Sequence, residues 1–493
     1  MKCKKSIFDE ILMRNFENKK NNIALVSEKR SLTYANFLDE VYFVKDYYEK
    51  SGVAKGKRVV IFMENCPEFA VSFMALNLCG AVIIPIYVKL GIEKLQSILM
   101  FYEPDFIATN DLNYESLTQT QFVIDSFVTG IFIHDEKGSI EINRFGGKSV
   151  AVLMDDDVAV ILSSSGTTSE PKGVMLTNDN IISNTSSIAE YMGVDSDDRI
   201  LMVKSINHSS SITGELLVGL YAGCTIYIFS GIMHARLVLD SLQQNRISVF
   251  FAVPSILHDI IKSRYVESFN LQSLRIIHFY GAVMNNGDMN ALLEYFRSCE
   301  LIYSYGLTEA SPRVTYAKKD RLVKYKGASG IALPSVSIRI ECDNNEDDSN
   351  GLGEIVVKGP NVMRGYFKNP VLTQNVLRNG ELYTGDLGYI DVDGNLYVIG
   401  RKDNMIIKHG RNIFPEEIER VVSLFDEVSE VLVSGKDEKV IAYVVSNQES
   451  INERELIMFC RKKLEDYKVP DKIVRVPKLK KNANNKLLRN ADY

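Results

Sequence analysis

Short apolar, β-branched runs alternate along much of the chain with longer stretches whose apolar positions recur at helical spacing. RVVIFM (58–63) reads as a buried strand and PEFAVSFMALNLCG (67–80) as a helix. AVIIPIYV (81–88) and DFIATN (105–110) read as further strands. The rhythm returns at VAVILSSS (158–165), followed by a helical stretch (177–193) with Thr177 placed as N-cap. It returns again at TIYIFS (225–230), SVFFAVP (248–254) and LRIIHFYGA (274–282), each leading into helical pattern. Strand–helix–strand alternation predicts an α/β fold with a largely parallel sheet. After about residue 325 the pattern becomes alternating strands with turn residues, as in GEIVVKGP (353–360) and DVDG (391–394), which predicts a small antiparallel β subdomain. A charged turn, RKDN (401–404), precedes a helix that has Pro415 in its first turn and Glu416 and Glu417 at the positive end of its dipole. We place a domain boundary at 402/403, dividing the chain into 1–402 and 403–493.

The apolar stretch 69–88 has the length of a membrane span. Asn77 in its middle, Gly80 and Pro85 favour a buried helix, a turn and a strand instead. Composition narrows the rest. At 493 residues, 46% apolar and 24% charged, the chain is globular, with about three domains or lobes. A net charge of −6 argues against a nucleic-acid-coating protein. The seven cysteines are scattered without a C-x-x-C, which predicts free thiols in a reducing compartment, hence the cytosol. Cys66, Cys79 and Cys224 sit in apolar patterns and read as core. The basic N-terminus is interrupted by Asp9, Glu10 and Arg14 and is not a secretory signal. His258 and His278 have no partnered carboxylate or cysteine at metal-ligand spacing.

Four segments carry candidate chemistry. In 163–173 (SSSGTTSEPKG) a strand runs into hydroxyls, a Gly and a Lys, donors that suit phosphate oxygens. It lacks the G-x-x-x-x-G-K-[ST] spacing of a Walker loop, and by composition alone it is equally a Ser/Thr-rich surface turn. In 303–309 (YSYGLTE) an aromatic beside a Gly offers a stacking face, and a carboxylate four residues on could hold a phosphate-bound divalent ion. In 383–386 (YTGD) an aspartate can accept two hydroxyl donors, as from a ribose. The fourth is 400–410 (GRKDNMIIKHG), followed by FPEEIE (414–419).

In this order and spacing, the four segments resemble the superfamily of adenylate-forming enzymes: acyl- and aryl-CoA ligases, peptide-synthetase adenylation domains and firefly luciferase. The likeness spans nearly the whole chain, including LTYANFLDEV (32–41), PKGVMLTNDNI (171–181), AVPSIL (252–257) and GEIVVKGPNVMRGYFKNP (353–370). It implies a large N-terminal domain of two α/β lobes plus a β subdomain, followed by a small mobile α+β lid. It places Thr167, Thr168 and Lys172 over the ATP phosphates. Tyr305 and Gly306 lie at the adenine with Gly281 and Ala282 nearby, and Asp386 holds the ribose with help from Arg401. Thr308 serves the phosphate side, Glu309 binds Mg²⁺, Asp403 is the hinge, and Lys486 is the catalytic lysine with Arg489 three residues on. Lys408 and Gly410 belong to the segment lining the path of an incoming thiol.

The acyl pocket is expected from His208, Ser209, Phe279, Tyr280, Gly306 and Pro312. Ser169 and Asn485 stand where the family usually has Gly. No Asp lies near His208 to hold an ammonium, which favours a simple carboxylic acid over an α-amino acid. The implied activity is ATP- and Mg²⁺-dependent ligation of that acid, through an acyl-adenylate, to coenzyme A or to the phosphopantetheine of a carrier protein. Alternatives are a relative that binds nucleotide without catalysis and a luciferase-like oxidation.

Overall fold

Two large sheets contain the parallel strands that the apolar runs predict. In the first, Arg58–Phe62 is buried on both faces between its parallel neighbours Val82–Pro85 and Phe106–Asn110. A strand covered on both faces has no solvent side, so from Val59 to Phe62 its sequence is continuously apolar. Gly130–His134 and Val158–Ser164 extend this sheet in parallel, and Ile140–Arg144 and Lys172–Thr177 cap it with antiparallel pairs. In the second, Ile23–Val26, Thr225–Ile228, Arg199–Met202, Val249–Ala252, Ile276–Tyr280 and Glu300–Tyr305 pair in parallel in that order. The N-terminal strand Ile23–Val26 thus pairs with residues about two hundred positions later, a non-local contact of the kind that slows folding.

The computed structural model describes residues 6–14, 16–125, 128–145, 157–164, 172–230, 234–263, 265–282, 284, 286–342, 351–409, 411–436, 439–446, 451–480 and 489. Thr167, Thr168, Ser169, Gly410, Asn485 and Lys486 lie outside the described residues.

The stretch that resembled a membrane span divides into the helix Pro67–Leu78 and the strand Val82–Pro85. The helix is apolar all round because it is buried all round, with Phe69 and Phe73 fully enclosed. Its polar residues are satisfied: Asn77 donates to Asn178 and accepts the Phe8 N–H, and Glu68 pairs with Arg30 at 2.7 Å. Among the described residues no helix is long and apolar enough to cross a membrane. Thr177 caps the helix Asn178–Met192 in a reciprocal capping box with Asn180.

The β subdomain is antiparallel: Ser337–Glu341, Gly353–Lys358, Glu381–Ile390 and Leu377–Arg378, with Leu396–Arg401 also pairing with Glu381–Ile390. Beyond the turn Lys402–Asn404 lies a small α+β unit. Its sheet of Val428–Lys436, Lys439–Ser446 and Lys472–Arg475 is packed by the helices Pro415–Val422 and Glu453–Arg461. Cys79 and Cys224 are free and buried, and burial pushes the Cys79 thiol up to about 12. Two histidines differ from expectation or sharpen it. His258 does have a carboxylate partner, Asp288, whose oxygen lies 2.8 Å from Nδ1 and comes from a neighbouring helix that spacing in sequence could not reveal. His278 is fully buried, 2.7 Å from Ser304 Oγ.

Candidate active site

The site begins at a hairpin. Val158–Ser164 and Lys172–Thr177 pair antiparallel with Ser164 opposite Lys172, so the intervening hydroxyl-rich segment leaves and returns at neighbouring positions. Tyr102 holds the hairpin's outgoing strand through Ser163 at 2.8 Å. The segment around residues 363–367 locks the other strand: Arg364 and Phe367 donate backbone hydrogen bonds to Met175 and Gly173. Gly173 has to be small, because a Cβ there would press on Ile161, Tyr102 and Phe367 at 3.0–3.1 Å.

The strand Glu300–Tyr305 delivers the second part. Tyr305 is its last residue, and its hydroxyl donates to Asp386 Oδ2 at 2.6 Å. Burial, and then the Asp386 charge, push the Tyr305 phenol well above its usual range. Asp386 and Arg401 face each other across the antiparallel pair, and the guanidinium Nε donates to Asp386 Oδ1 at 2.7 Å. The same carboxylate raises the Arg401 pKa. Gly306 is required next to Tyr305: a Cβ there would lie 1.8 Å from the Pro312 carbonyl oxygen. Gly281, at φ +91°, and Ala282 are exposed at the end of Ile276–Tyr280.

One short turn, Thr308–Ala310, joins the two parts, packing against both strands of the hairpin. Tyr366 donates to Glu309 Oε1 at 2.8 Å, and the backbone N–H of Met363 donates to the Glu309 carbonyl. The Tyr366 phenol is pushed up by burial and by the Glu309 charge. Thr308 Oγ1 lies 3.3 Å from Ser209 Oγ, which brings the His208 turn to the same place. His208 caps that turn, with its Nδ1 accepting from the Ser210 N–H (3.3 Å) and from the Ser210 hydroxyl (2.9 Å). Lys204 donates to the same hydroxyl at 2.9 Å. An accepting Nδ1 assigns the imidazole proton to Nε2, which makes that nitrogen a donor.

This donor set fits ATP and Mg²⁺. The Asp386 carboxylate has acceptor capacity left beyond Tyr305 and Arg401, as a ribose diol needs. Among the described residues no three acidic, His or Cys side chains cluster. Glu309 alone therefore suits Mg²⁺, which keeps waters and phosphate oxygens as its other ligands, rather than a metal needing a full protein cage.

The remaining candidates lie in the C-terminal unit. Asp403 is exposed in the turn Lys402–Asn404, and Asn404 donates to Glu416 at 2.6 Å. Lys408 is paired with both Asp471 oxygens at 2.7 Å. Arg489 grips Glu419 with two hydrogen bonds, of 2.6 and 2.8 Å. One expectation needs correction. Phe279 does not line the acyl side: strand alternation turns it to the opposite face from Tyr280, where it is fully buried against Tyr303. Tyr280 is also buried, with its hydroxyl donating to Glu215. Sequence reading missed Tyr366, Glu215 and Arg313. Only Arg313 left a signal, a charge four residues after the YGLTE segment.

The structure thus gathers Tyr305, Asp386, Arg401, Glu309 and the His208 turn around one short segment, the arrangement expected of an adenylate-forming enzyme. The comparisons with known proteins agree. Residues 12–367 match the family model "AMP-binding enzyme" and residues 417–486 match "AMP-binding enzyme C-terminal domain". The chain belongs to the AMP-binding enzyme family. A 2-succinylbenzoate–CoA ligase of Bacillus velezensis is 31% identical over 488 residues, covering 95% of this chain and 94% of the relative. The o-succinylbenzoate CoA synthetase of Bacillus subtilis, solved with its acyl-adenylate intermediate, is 28% identical with a TM-score of 0.84, covering 97% of this chain and 96% of that one. The same enzyme solved with ATP and magnesium ion also gives 28% and 0.84, with coverage of 97% and 98%.

Proposed function

We propose that the protein ligates a small carboxylic acid to the thiol of coenzyme A in two ATP-dependent half-reactions. The observation that carries this reading is the continuity of residues 305–309. Tyr305 is bonded to the ribose-type acceptor Asp386, Thr308 touches the acyl-side turn, and Glu309 is tied to the hairpin through Tyr366.

In the first half-reaction a carboxylate oxygen of the acid attacks the α-phosphorus of ATP, and pyrophosphate leaves. Lys172 and Lys486 meet the negative charge that spreads in the transition state, where positioned cations act most strongly. Mg²⁺, held at Glu309, neutralises phosphate charge when bound. Asp386 and Arg401 orient the ribose, and the Nε2 proton of His208 holds a carboxylate oxygen of the acid. In the second half-reaction the thiol sulfur attacks the acyl carbon and AMP leaves. The lid turns about Asp403 between the two, exchanging the Lys486 segment for Ile406, Lys408 and Gly410 along the thiol's path. Coenzyme A is preferred to a carrier protein as acceptor because the relatives are CoA ligases.

The test is pyrophosphate release from ATP and Mg²⁺ over a panel of acids, followed by addition of CoA. The expected result is acid-dependent pyrophosphate, then AMP and acyl-CoA in equal amounts. Absence of any acid-dependent pyrophosphate would overturn the reading.

A further inference from the structure

The strand Glu381–Ile390 carries Asp386 through an irregularity. Against the neighbouring strand Gly353–Lys358, Tyr383 pairs with Val356 and Leu387 pairs with Glu354. Thr384, Gly385 and Asp386 therefore stand opposite Ile355 alone. A β-bulge enlarged in this way re-aims a side chain, and it takes backbone groups out of the ladder. Such groups need other partners, since an unmet one costs about as much as a lost hydrogen bond. Side chains meet them here. The Asp386 N–H donates to Thr384 Oγ1 at 3.1 Å, and that hydroxyl donates to the Ile355 carbonyl at 2.8 Å. The Thr384 carbonyl accepts from Arg401 Nη2 at 3.3 Å. The Gly385 N–H, in the middle of the bulge, donates to Glu354 Oε1 at 3.0 Å.

Gly385 sits at φ +72°, in the left-handed region. Glycine enters that region without strain and leaves it as easily, so its contacts have to hold it there. Packing does not: among the described residues, no atom lies within 4 Å of where a Gly385 Cβ would stand. The bond to Glu354 is charge-assisted, the stronger kind of hydrogen bond. Glu354 has a second contact, Lys402, 3.6 Å from Oε2. The Lys402 side chain is half-exposed, and ion pairs in contact with water contribute little. Tyr305 and Arg401 fix two acceptor directions of the Asp386 carboxylate. The backbone from which that carboxylate projects is fixed by Thr384 and, through Gly385, by Glu354.

We propose that Glu354 is a positioning residue for nucleotide recognition: by accepting the Gly385 N–H it holds the bulge that aims Asp386 at the two ribose hydroxyls. This rests on the assignment of Asp386 to the ribose in the ligase reading above. Glu354 acts through Gly385 and takes no part in phosphoryl or acyl transfer. Without it the Gly385 N–H turns to water and the bulge samples other conformations. The Asp386 carboxylate then keeps Tyr305 and Arg401 but presents its remaining acceptor directions to the ribose less often.

The experiment measures pyrophosphate release by the full-length chain, with an acid that supports it, and compares kcat/KM for ATP with that for 2′-deoxy-ATP. Wild type should favour ATP by about tenfold or more, the range of one hydrogen bond to a charged group. Glu354→Ala should cut that preference by about threefold or more and raise the KM for ATP, with kcat at saturating ATP changed less. Glu354→Asp, one methylene too short to reach Gly385, should do the same, and it decides the matter where the alanine variant does not fold. Glu354→Gln keeps an acceptor oxygen for the Gly385 N–H and should restore most of the preference. Lys402→Met removes only the other contact and should show the wild-type preference. A structural role alone would lower stability or kcat and leave the preference unmoved in every variant. A wild-type preference in both Glu354→Ala and Glu354→Asp overturns the proposal, as does an equal loss in Glu354→Gln or a loss in Lys402→Met. A wild type that does not discriminate between the nucleotides sinks the ribose assignment of Asp386 beneath it, and no pyrophosphate with any acid sinks the ligase reading itself.

Discussion

Replacing Asp386 with Asn tests the nucleotide half of the site. The carboxylate accepts Tyr305 Oη–H at 2.6 Å on one oxygen and Arg401 Nε–H at 2.7 Å on the other. A carboxylate offers about four acceptor directions, so one remains on each oxygen, the pair that a vicinal diol requires. Asn keeps a single acceptor oxygen and turns an NH₂ toward the Tyr305 or Arg401 donor. At least one ribose bond is then lost, and a hydrogen bond to a charged group contributes about 1.5–3 kcal/mol. The KM for ATP should therefore rise by about 10- to 100-fold. The kcat for pyrophosphate release should change much less, because the ribose contact is the same before and during phosphoryl transfer. The assay is acid-dependent pyrophosphate release with ATP and 2′-deoxy-ATP as alternative substrates. Wild type should discriminate against the deoxy nucleotide, and the variant should lose most of that discrimination, the non-additivity expected of groups in contact. An unchanged KM for ATP, or equal discrimination by both enzymes, would refute the assignment of Asp386 to the ribose.

Lys486→Ala should slow adenylation by about a hundredfold or more, the scale of losing one positioned transition-state donor. Thioester formation from a supplied acyl-adenylate should survive, and an equal fall in both steps would contradict the role given to Lys486. Gly306→Ala places a methyl group 1.8 Å from the Pro312 carbonyl oxygen; urea denaturation should show a loss of about 1–3 kcal/mol, the range for forced overpacking, and an unchanged midpoint would contradict the close approach. His258 has its pKa raised by the hydrogen bond to Asp288. Its contribution to stability is full below the unfolded value of about 6.5 and is lost as pH rises through the raised folded value. Asp288→Asn should therefore destabilise more at about pH 5.5 than at about pH 8.5, and a pH-independent difference in urea midpoint would show the pairing to be inert.

Much of the fold was legible before any coordinates, for a local reason. Runs such as RVVIFM and the Thr177-capped helix signal through spacing and caps alone, and both form where expected. The family was legible for the same reason: Tyr305, Glu309, Asp386 and Arg401 stand in short motifs whose order resembles it, and the family model matches residues 12–367. Phe279 was misplaced because two adjacent aromatics on a strand face opposite ways, and only strand pairing shows which way each faces. His258 and Asp288 come from separate helices, so neither neighbourhood advertises the other.

By itself, then, the sequence determined the alternation of elements, the family and the residues proposed to meet ATP, because these depend on periodicity and on spacing over a few positions. Only the tertiary structure decided that Tyr366 crosses from a distant strand to Glu309, and that Glu215, Tyr280 and Arg313 share one buried volume. Those contacts join residues 33 to 65 positions apart in the chain. Their energies come from desolvation and charge in a closed space, which no linear pattern encodes.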